Sequence, residues 1–88
     1  MLMTLCININ NSKGGVVCIA TKDVKSDLIP IFNAEIEDGV FKSAKKIIEI
    51  QLVPDENKYN VWLDYEECIE SIADLDKGTW KNHGWEIK

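Results

Sequence analysis

In this sequence, the side chains whose type and spacing best suit a chemical function are four acidic residues in the C-terminal half. They are Glu66, Glu67, Glu70 and Asp74. Wound at helical spacing, they share one arc that is roughly 100° wide. Clustered carboxylates can act as general acids or bases, bind a divalent cation, or attract a basic protein.

Of these chemistries, the acidic pattern favours recognition of a partner. Carboxylates on a solvated helix face keep low pKa values, which disfavours general-acid catalysis. The usual calcium loop needs alternating acids around a central glycine, and the sequence has no such run. A negative cluster can instead steer a basic protein and occupy sites that phosphates normally fill. We therefore predict a partner-binding surface made of the four acids, with Trp80 or Trp85 as an aromatic anchor. The alternative for each tryptophan is packing in the core.

The acidic residues are expected to lie on a helix that spans residues 65–76. Asp64 is a suitable N-cap, and Glu67 stands at the third helical position, as in a capping box. The opposite face of this helix is apolar and is expected to pack on a sheet. That face contains Tyr65, Cys68, Ile69, Ile72, Ala73 and Leu75.

The first part of that sheet is a predicted β-hairpin over residues 2–21. Two runs rich in β-branched residues flank the turn sequence Asn-Asn-Ser-Lys-Gly-Gly. If Asn10 pairs with Gly14, Cys6 lies opposite Cys18 on the less apolar face. In that register Val17 and Ile19 share the more apolar face with the odd-numbered residues of the first strand. They are Met3, Leu5, Ile7 and Ile9.

A second predicted hairpin spans residues 48–63, with its turn at Pro-Asp-Glu-Asn-Lys. Ile48, Ile50 and Leu52 share one face of its first strand. Residues 31–36 are a candidate for a further strand.

Residues 39–47 have two interpretations. Apolar residues recur at helical spacing and Asp38 can cap, which favours a helix. Alternatively, Asp38-Gly39 is a two-residue hairpin turn between strands. We favour the helix, because Lys-Ser-Ala-Lys-Lys is poor strand sequence. The predicted fold is therefore α+β: a small antiparallel sheet of four to five strands, packed by one or two helices. The length of 88 residues predicts a single domain over residues 1–88.

The net charge of -5 is concentrated in the C-terminal half. Residues 1–48 carry six Lys and five acids, whereas residues 49–88 carry four Lys and ten acids. All the basic residues are Lys, so no side chain offers the planar fork that reads phosphate or guanine. Charge and composition thus argue against direct binding of nucleic acid.

No catalytic, metal or cofactor site is predicted. The single histidine, His83, and the three cysteines lack the close spacing of zinc ligands or of a nucleophile–base pair. An odd number of cysteines without a CxxC pair predicts reduced thiols. The sequence also has no signal peptide pattern and no apolar run that could span a membrane, so we expect a cytoplasmic protein.

Size, charge and the lack of a catalytic motif predict a non-enzymatic, protein-binding domain. Small acidic single-domain proteins of this appearance occur among toxin-immunity proteins and phage anti-defence proteins, including anti-CRISPR proteins and DNA mimics. The sequence predicts a stoichiometric inhibitor of a basic, nucleic-acid-handling protein. The alternative is a self-associating structural or regulatory domain, in which an edge strand of either hairpin pairs across a two-fold axis to form a homodimer.

Overall fold

The computed structural model describes residues 1–66 and 71–88, and strands dominate them. The strands are β1 (Leu2–Asn10), β2 (Val16–Lys25), β3 (Glu35–Ile36), β4 (Lys45–Val53), β5 (Lys58–Glu66) and β6 (Glu86–Ile87). One helix, α1 (Lys77–Asn82), and two 3₁₀ turns (Pro54–Glu56 and Ile72–Asp74) complete the elements.

The predicted α+β fold is wrong. The six strands form one curled sheet in the order β3-β4-β5-β1-β2-β6, and 49% of the described residues are in strands against 14% in helices. Both predicted hairpins are confirmed, because β1 pairs antiparallel with β2 and β4 with β5. The hairpins join through β1 and β5, which run parallel, so the sheet is mixed and not antiparallel.

The first hairpin has a different register from the predicted one. Cys6 lies opposite Thr21 and Cys18 lies opposite Ile9, with a β-bulge next to Asn10. The turn is longer than predicted, since Asn10 pairs with Val16 and not with Gly14. Within the turn, the side chain of Asn11 accepts hydrogen bonds from two backbone N–H groups, at 2.9 and 3.0 Å. Cys18 therefore faces the core beside Ile9, and the two thiols are buried on opposite faces of the sheet.

The predicted helix over residues 39–47 is also wrong. Gly39 and Val40 form a turn, Lys42 and Ser43 form a bend, and the chain enters β4 at Lys45. A β-bulge between Ile47 and Glu49 places Ile47 and Ile50 on the core face, while Ile48 stays 47% exposed. The prediction that Ile48 shares a face with Ile50 and Leu52 is therefore wrong. Strand structure wins here because Lys45 and Lys46 pair with β3, a long-range contact that local propensity cannot register.

The predicted helix over residues 65–76 is wrong wherever it can be compared. Tyr65 and Glu66 are the last residues of β5, and Glu66 pairs with Ile9 of β1. Residues 72–74 form only a 3₁₀ turn. Residues 67–70 lie outside the described residues, and with them Glu67, Cys68, Ile69 and Glu70 of the prediction.

The candidate strand over residues 31–36 is reduced to β3. Asn33 adopts a positive φ of 70°, which ends extended structure before Ala34.

The core lies on one face of the curled sheet. Its largest fully buried side chains come from β1, β4 and β5: Ile7, Ile9, Ile47, Val61 and Leu63. Trp80 of α1 and Trp85, just before β6, pack against this face, together with the partly buried Phe41. Within residues 1–66 and 71–88, no helix is long and apolar enough to cross a membrane.

Candidate functional site

Glu66 does not belong to an open acidic surface. It is 5% exposed, and its Oε1 atom lies 3.0 Å from Nζ of Lys45, which is also largely buried. A carboxylate removed from water needs such a partner, because an unpaired buried charge costs several kcal/mol. Glu66 therefore joins the ends of β4 and β5 and is not available to a partner protein.

Trp80 and Trp85 are core residues, contrary to their predicted role as exposed anchors. They are 5% and 3% exposed, and their ring centroids lie 5.4 Å apart in an edge-to-face arrangement. Phe41 completes the group, with centroids 6.2 Å from Trp80 and 5.5 Å from Trp85. We call these three rings the aromatic corner. Packing against one another and against Phe41 explains why the otherwise polar C-terminal segment contains two tryptophans.

An ion pair holds the aromatic corner in place. Nζ of Lys22 donates to Oδ2 of Asp38 at 2.7 Å and lies 5.8 Å from the ring centroid of Trp85. Burial alone would raise the pKa of Asp38. Lys22, the backbone N–H of Val40 and the Trp85 side chain together hold that pKa below its usual value. The corner is thus closed by a carboxylate that stays charged at neutral pH.

Of the other predicted contact residues, Asp74 is exposed, while Glu67 and Glu70 lie outside the described residues. The carboxylate of Asp74 accepts a hydrogen bond from the backbone N–H of Ser71 at 3.1 Å, within a capping box. Its observed contact is therefore local. The predicted surface of four acids and two tryptophans does not form as one patch, since Glu66, Trp80 and Trp85 are buried.

The thiols and the histidine have structural surroundings. Burial raises the pKa of Cys6 and of Cys18, which keeps both thiols protonated and poorly nucleophilic. The ring of His83 lies against Gly39, and its Nδ1 is 2.9 Å from the carbonyl oxygen of Thr79. Among residues 1–66 and 71–88, no group of three His, Cys, Asp or Glu side chains is arranged to hold a metal ion.

A different region presents the most unusual surface. Between β2 and β3, large apolar side chains point into solvent with 58% to 77% of their area exposed. They are Leu28, Ile29, Ile31 and Phe32, and we call residues 28–32 the apolar loop. Together they expose apolar surface on the order of 500 Å², as large as the largest patches on typical monomers. The largest apolar patch of a monomer is often functional.

The apolar loop is attached to the sheet at both ends. On one side, the backbone N–H of Ser26 donates to the carbonyl oxygen of Met1 at 3.2 Å. The hydroxyl oxygen of Ser26 accepts a hydrogen bond from the backbone N–H of Leu28 at 3.0 Å. On the other, Asn33 donates to the carbonyl of Ile47 at 2.9 Å. Pro30 restricts the backbone between these points. The four side chains are therefore presented by a constrained loop.

The residues around the apolar loop carry negative charge. From Ser26 to Phe41 the sequence has four acids and no Lys. Asp38 is neutralised by Lys22, whereas Asp27, Glu35 and Glu37 are exposed. In sequence, the apolar loop is thus followed by more acids than lysines, while Lys25 precedes it and Lys46 pairs opposite Glu35 across β3 and β4.

Comparisons with known proteins identify no relative of this chain. No protein-family model, curated protein or solved structure matches it.

The apolar loop was not predicted, because its residues resemble a strand. Ile-Phe-Asn-Ala-Glu-Ile is rich enough in apolar residues to predict a strand over residues 31–36. The signal that distinguishes it is Pro30 in the middle of the apolar run, with Ser26 and Asn33 at its borders, a pattern typical of loops.

Proposed function

We propose that this protein is a small acidic binding domain that acts as a stoichiometric inhibitor of a basic, nucleic-acid-handling protein. The observation that supports the proposal is the constrained apolar loop, whose four large side chains remain in solvent in the folded chain. Burying them in a partner would release ordered water from roughly 500 Å² of apolar surface and stabilise a complex. In size, charge and lack of a catalytic motif, the chain resembles small toxin-immunity and phage anti-defence proteins, anti-CRISPR proteins among them.

The charge of the chain specifies the kind of partner. A net charge of -5, with Asp27, Glu35 and Glu37 near the apolar loop in sequence, favours a basic surface and accelerates its association. Proteins that handle nucleic acids carry such surfaces for phosphates. Binding there blocks the nucleic acid by occupying its site, without any catalytic step.

We assign the protein to a reducing compartment, the cytoplasm. Cys6 and Cys18 are free thiols on opposite faces of the sheet, so they cannot form a disulfide with each other. Their burial protects them from exchange.

The test is capture of a partner by the intact protein, followed by titration of the purified partner. The key variant changes all four side chains of the apolar loop: Leu28→Ser, Ile29→Ser, Ile31→Ser and Phe32→Ser. The matched control is Val16→Ser, which removes an equally exposed apolar side chain at the start of β2. We expect the four-fold variant to weaken binding by about 100-fold or more and the control to bind like the wild type.

The charge of the partner is tested separately. A double variant with Glu35→Gln and Glu37→Gln should lower the association rate and its salt dependence. The control is a double variant at two acids distant in sequence, Asp55→Asn and Asp64→Asn, which should change both quantities less. The captured protein should lose nucleic-acid binding at a one-to-one ratio. An acidic partner, or unchanged affinity of the four-fold loop variant, would show that the proposal is wrong.

A further inference from the structure

Asp38 and Gly39 form the only Asp-Gly or Asn-Gly pair in the sequence. This dipeptide is chemically labile, because glycine has no side chain to shield its backbone nitrogen from the preceding carboxyl group. The nitrogen of Gly39 can attack the side-chain carbon Cγ of Asp38 and close a succinimide ring. The turn next to the aromatic corner therefore contains a bond arrangement that can rearrange without an enzyme or a cofactor.

The rearrangement releases one water molecule and then takes one up. As the N–Cγ bond forms, the Gly39 nitrogen loses its proton and the carboxyl group loses its OH, and the two leave as water. Water then adds to a carbonyl of the ring. Opening at the former main-chain carbonyl of Asp38 leaves isoaspartate, whose backbone runs through Cβ and Cγ and whose free carboxylate sits on Cα. The reactive group is the uncharged carboxyl, because a carboxylate is a poor electrophile.

The fold holds the carboxylate of Asp38 in a charged form and a fixed orientation. Its Oδ2 accepts a hydrogen bond from Nζ of Lys22 at 2.7 Å, and its Oδ1 accepts one from the backbone N–H of Val40 at 3.2 Å. The side chain of Asp38 is 7% exposed. The ion pair keeps the carboxyl group charged, and the two hydrogen bonds limit its rotation. Cγ can therefore approach the Gly39 nitrogen only when these bonds are broken.

The attacking nitrogen, by contrast, is not restrained. No hydrogen bond among residues 1–66 and 71–88 engages the backbone N–H of Gly39. A larger residue here would suppress the reaction, but its Cβ atom would lie 2.7 Å from Nε2 of His83. The close ring thus favours glycine at the labile position, and the contacts of the Asp38 carboxylate restrain the reaction.

We propose that Asp38-Gly39 is a latent site of backbone isomerisation that the Lys22–Asp38 ion pair holds inactive. Local opening of the aromatic corner releases the carboxyl group, which takes up a proton and becomes accessible to the Gly39 nitrogen. Isoaspartate adds a methylene group to the backbone of the turn and relocates the carboxylate, so the bonds to Lys22 and Val40 cannot re-form as before. An opening of the corner is thus converted into a lasting covalent change. This site is independent of the function proposed for the apolar loop.

The first experiment compares the folded wild-type protein with the same chain in urea during long incubation at one temperature and pH. Trypsin then releases residues 26–42, the peptide that contains Asp38. Chromatography separates its isoaspartyl form, which has the same mass, and electron-transfer fragmentation locates the change. We expect the folded protein to isomerise at least about tenfold more slowly than the chain in urea. Equal rates would overturn the proposal.

The second experiment removes the ion pair and keeps the labile bond. Lys22→Met should accelerate isomerisation of the folded protein by about tenfold, because it removes a hydrogen bond to a charged group. Lys22→Arg keeps a cation at this position and should restore most of the protection.

The control for general unfolding is Ile7→Val, a substitution in the core of β1 that lowers global stability and leaves the ion pair intact. We expect it to isomerise like the wild type. An unchanged rate in Lys22→Met, a Lys22→Arg variant as fast as Lys22→Met, or equal acceleration in Ile7→Val would each show that the ion pair does not hold the site inactive.

Discussion

The aromatic corner and the apolar loop are built from similar residues but differ in what lies opposite them. Phe41, Trp80 and Trp85 pack against one another, and the Lys22–Asp38 pair ties the turn before Phe41 to β2. The apolar loop is also tied to the sheet, at Ser26 and Asn33, yet no element among the described residues packs over its side chains.

The difference teaches that apolar character does not decide burial in a chain this short. A domain of this length buries only about 60 to 65% of the surface of its unfolded chain, so some large side chains must stay outside. The aromatic corner is buried because the C-terminal segment returns to β2. The comparison predicts large stability effects at the corner and small ones at the loop.

The largest loss of stability is expected from Trp85→Ala. The indole is 3% exposed and touches both other rings of the corner, so its removal leaves a cavity and should lower the free energy of unfolding by about 3 to 5 kcal/mol. Urea denaturation followed by circular dichroism measures the change. Tyr65→Ala, at an exposed aromatic residue, is the control; an equal loss in both variants would contradict the assignment of the corner to the core.

A smaller, pH-dependent loss is expected from Asp38→Asn, which removes the charge that pairs with Lys22. Because the folded-state pKa of Asp38 lies below its usual value, its contribution is present at neutral pH and disappears as the pH falls below about 4. The variant should be less stable by about 1 kcal/mol near pH 7 and should approach the wild type under acidic conditions. Denaturation curves at several pH values measure this; a difference that grows on acidification has the wrong sign for this mechanism.

A comparable but more local effect is expected from Gly39→Ala. A Cβ atom at this position would lie 2.7 Å from Nε2 of His83, so the ring must move. We expect a cost of about 1 kcal/mol in the wild-type background and a smaller cost in a His83→Ala background. Thermal denaturation of the four proteins of this double-mutant cycle gives the coupling. Equal costs in both backgrounds would mean that the ring does not restrict this turn.

The smallest effect on stability is expected in the apolar loop. Ile29→Ser and Phe32→Ser should each change the free energy of unfolding by no more than about 0.5 kcal/mol, because both side chains are already in solvent. The same variants should remain more soluble at high concentration, where exposed apolar surface promotes association. A loss of several kcal/mol would show that the loop is part of the core and would remove the contrast with the aromatic corner.

The hairpins could be predicted from the sequence because their signals are local. Alternating β-branched residues on both sides of Asn-Asn-Ser-Lys-Gly-Gly and of Pro-Asp-Glu-Asn-Lys define two strand pairs. The register of the first hairpin could not be predicted, because it depends on the hydrogen bonds that Asn11 makes within the turn. A bulge of one residue is enough to exchange the faces of Cys18 and Ile19.

Both helix predictions failed for a common reason. Lys45 and Glu66 occupy positions that fit the polar side of a helix, but in the fold they form an ion pair between the neighbouring strands β4 and β5. Their attraction, and the pairing of Ile9 with Glu66, act between residues far apart in sequence. Helical periodicity in a short acidic segment cannot outweigh such contacts, and no local signal announces them. Glu66 is buried because it ends a strand and not a helix, and Trp80 and Trp85 are buried because the C-terminal segment returns to the sheet.

The parallel pairing of β1 with β5 makes the order of folding events predictable. Leu2 lies beside Lys58 and Ile7 beside Leu63, so the centre of the sheet joins residues separated by more than half of the chain. During synthesis, the hairpin of β1 and β2 can form early, but the other edge of β1 stays unpaired until β5 has emerged. Loops of this length close slowly relative to local hairpins, which places the joining of the two hairpins at the rate-limiting step. Until then, the apolar face of β1 is the part of the nascent chain with the greatest need of protection from aggregation.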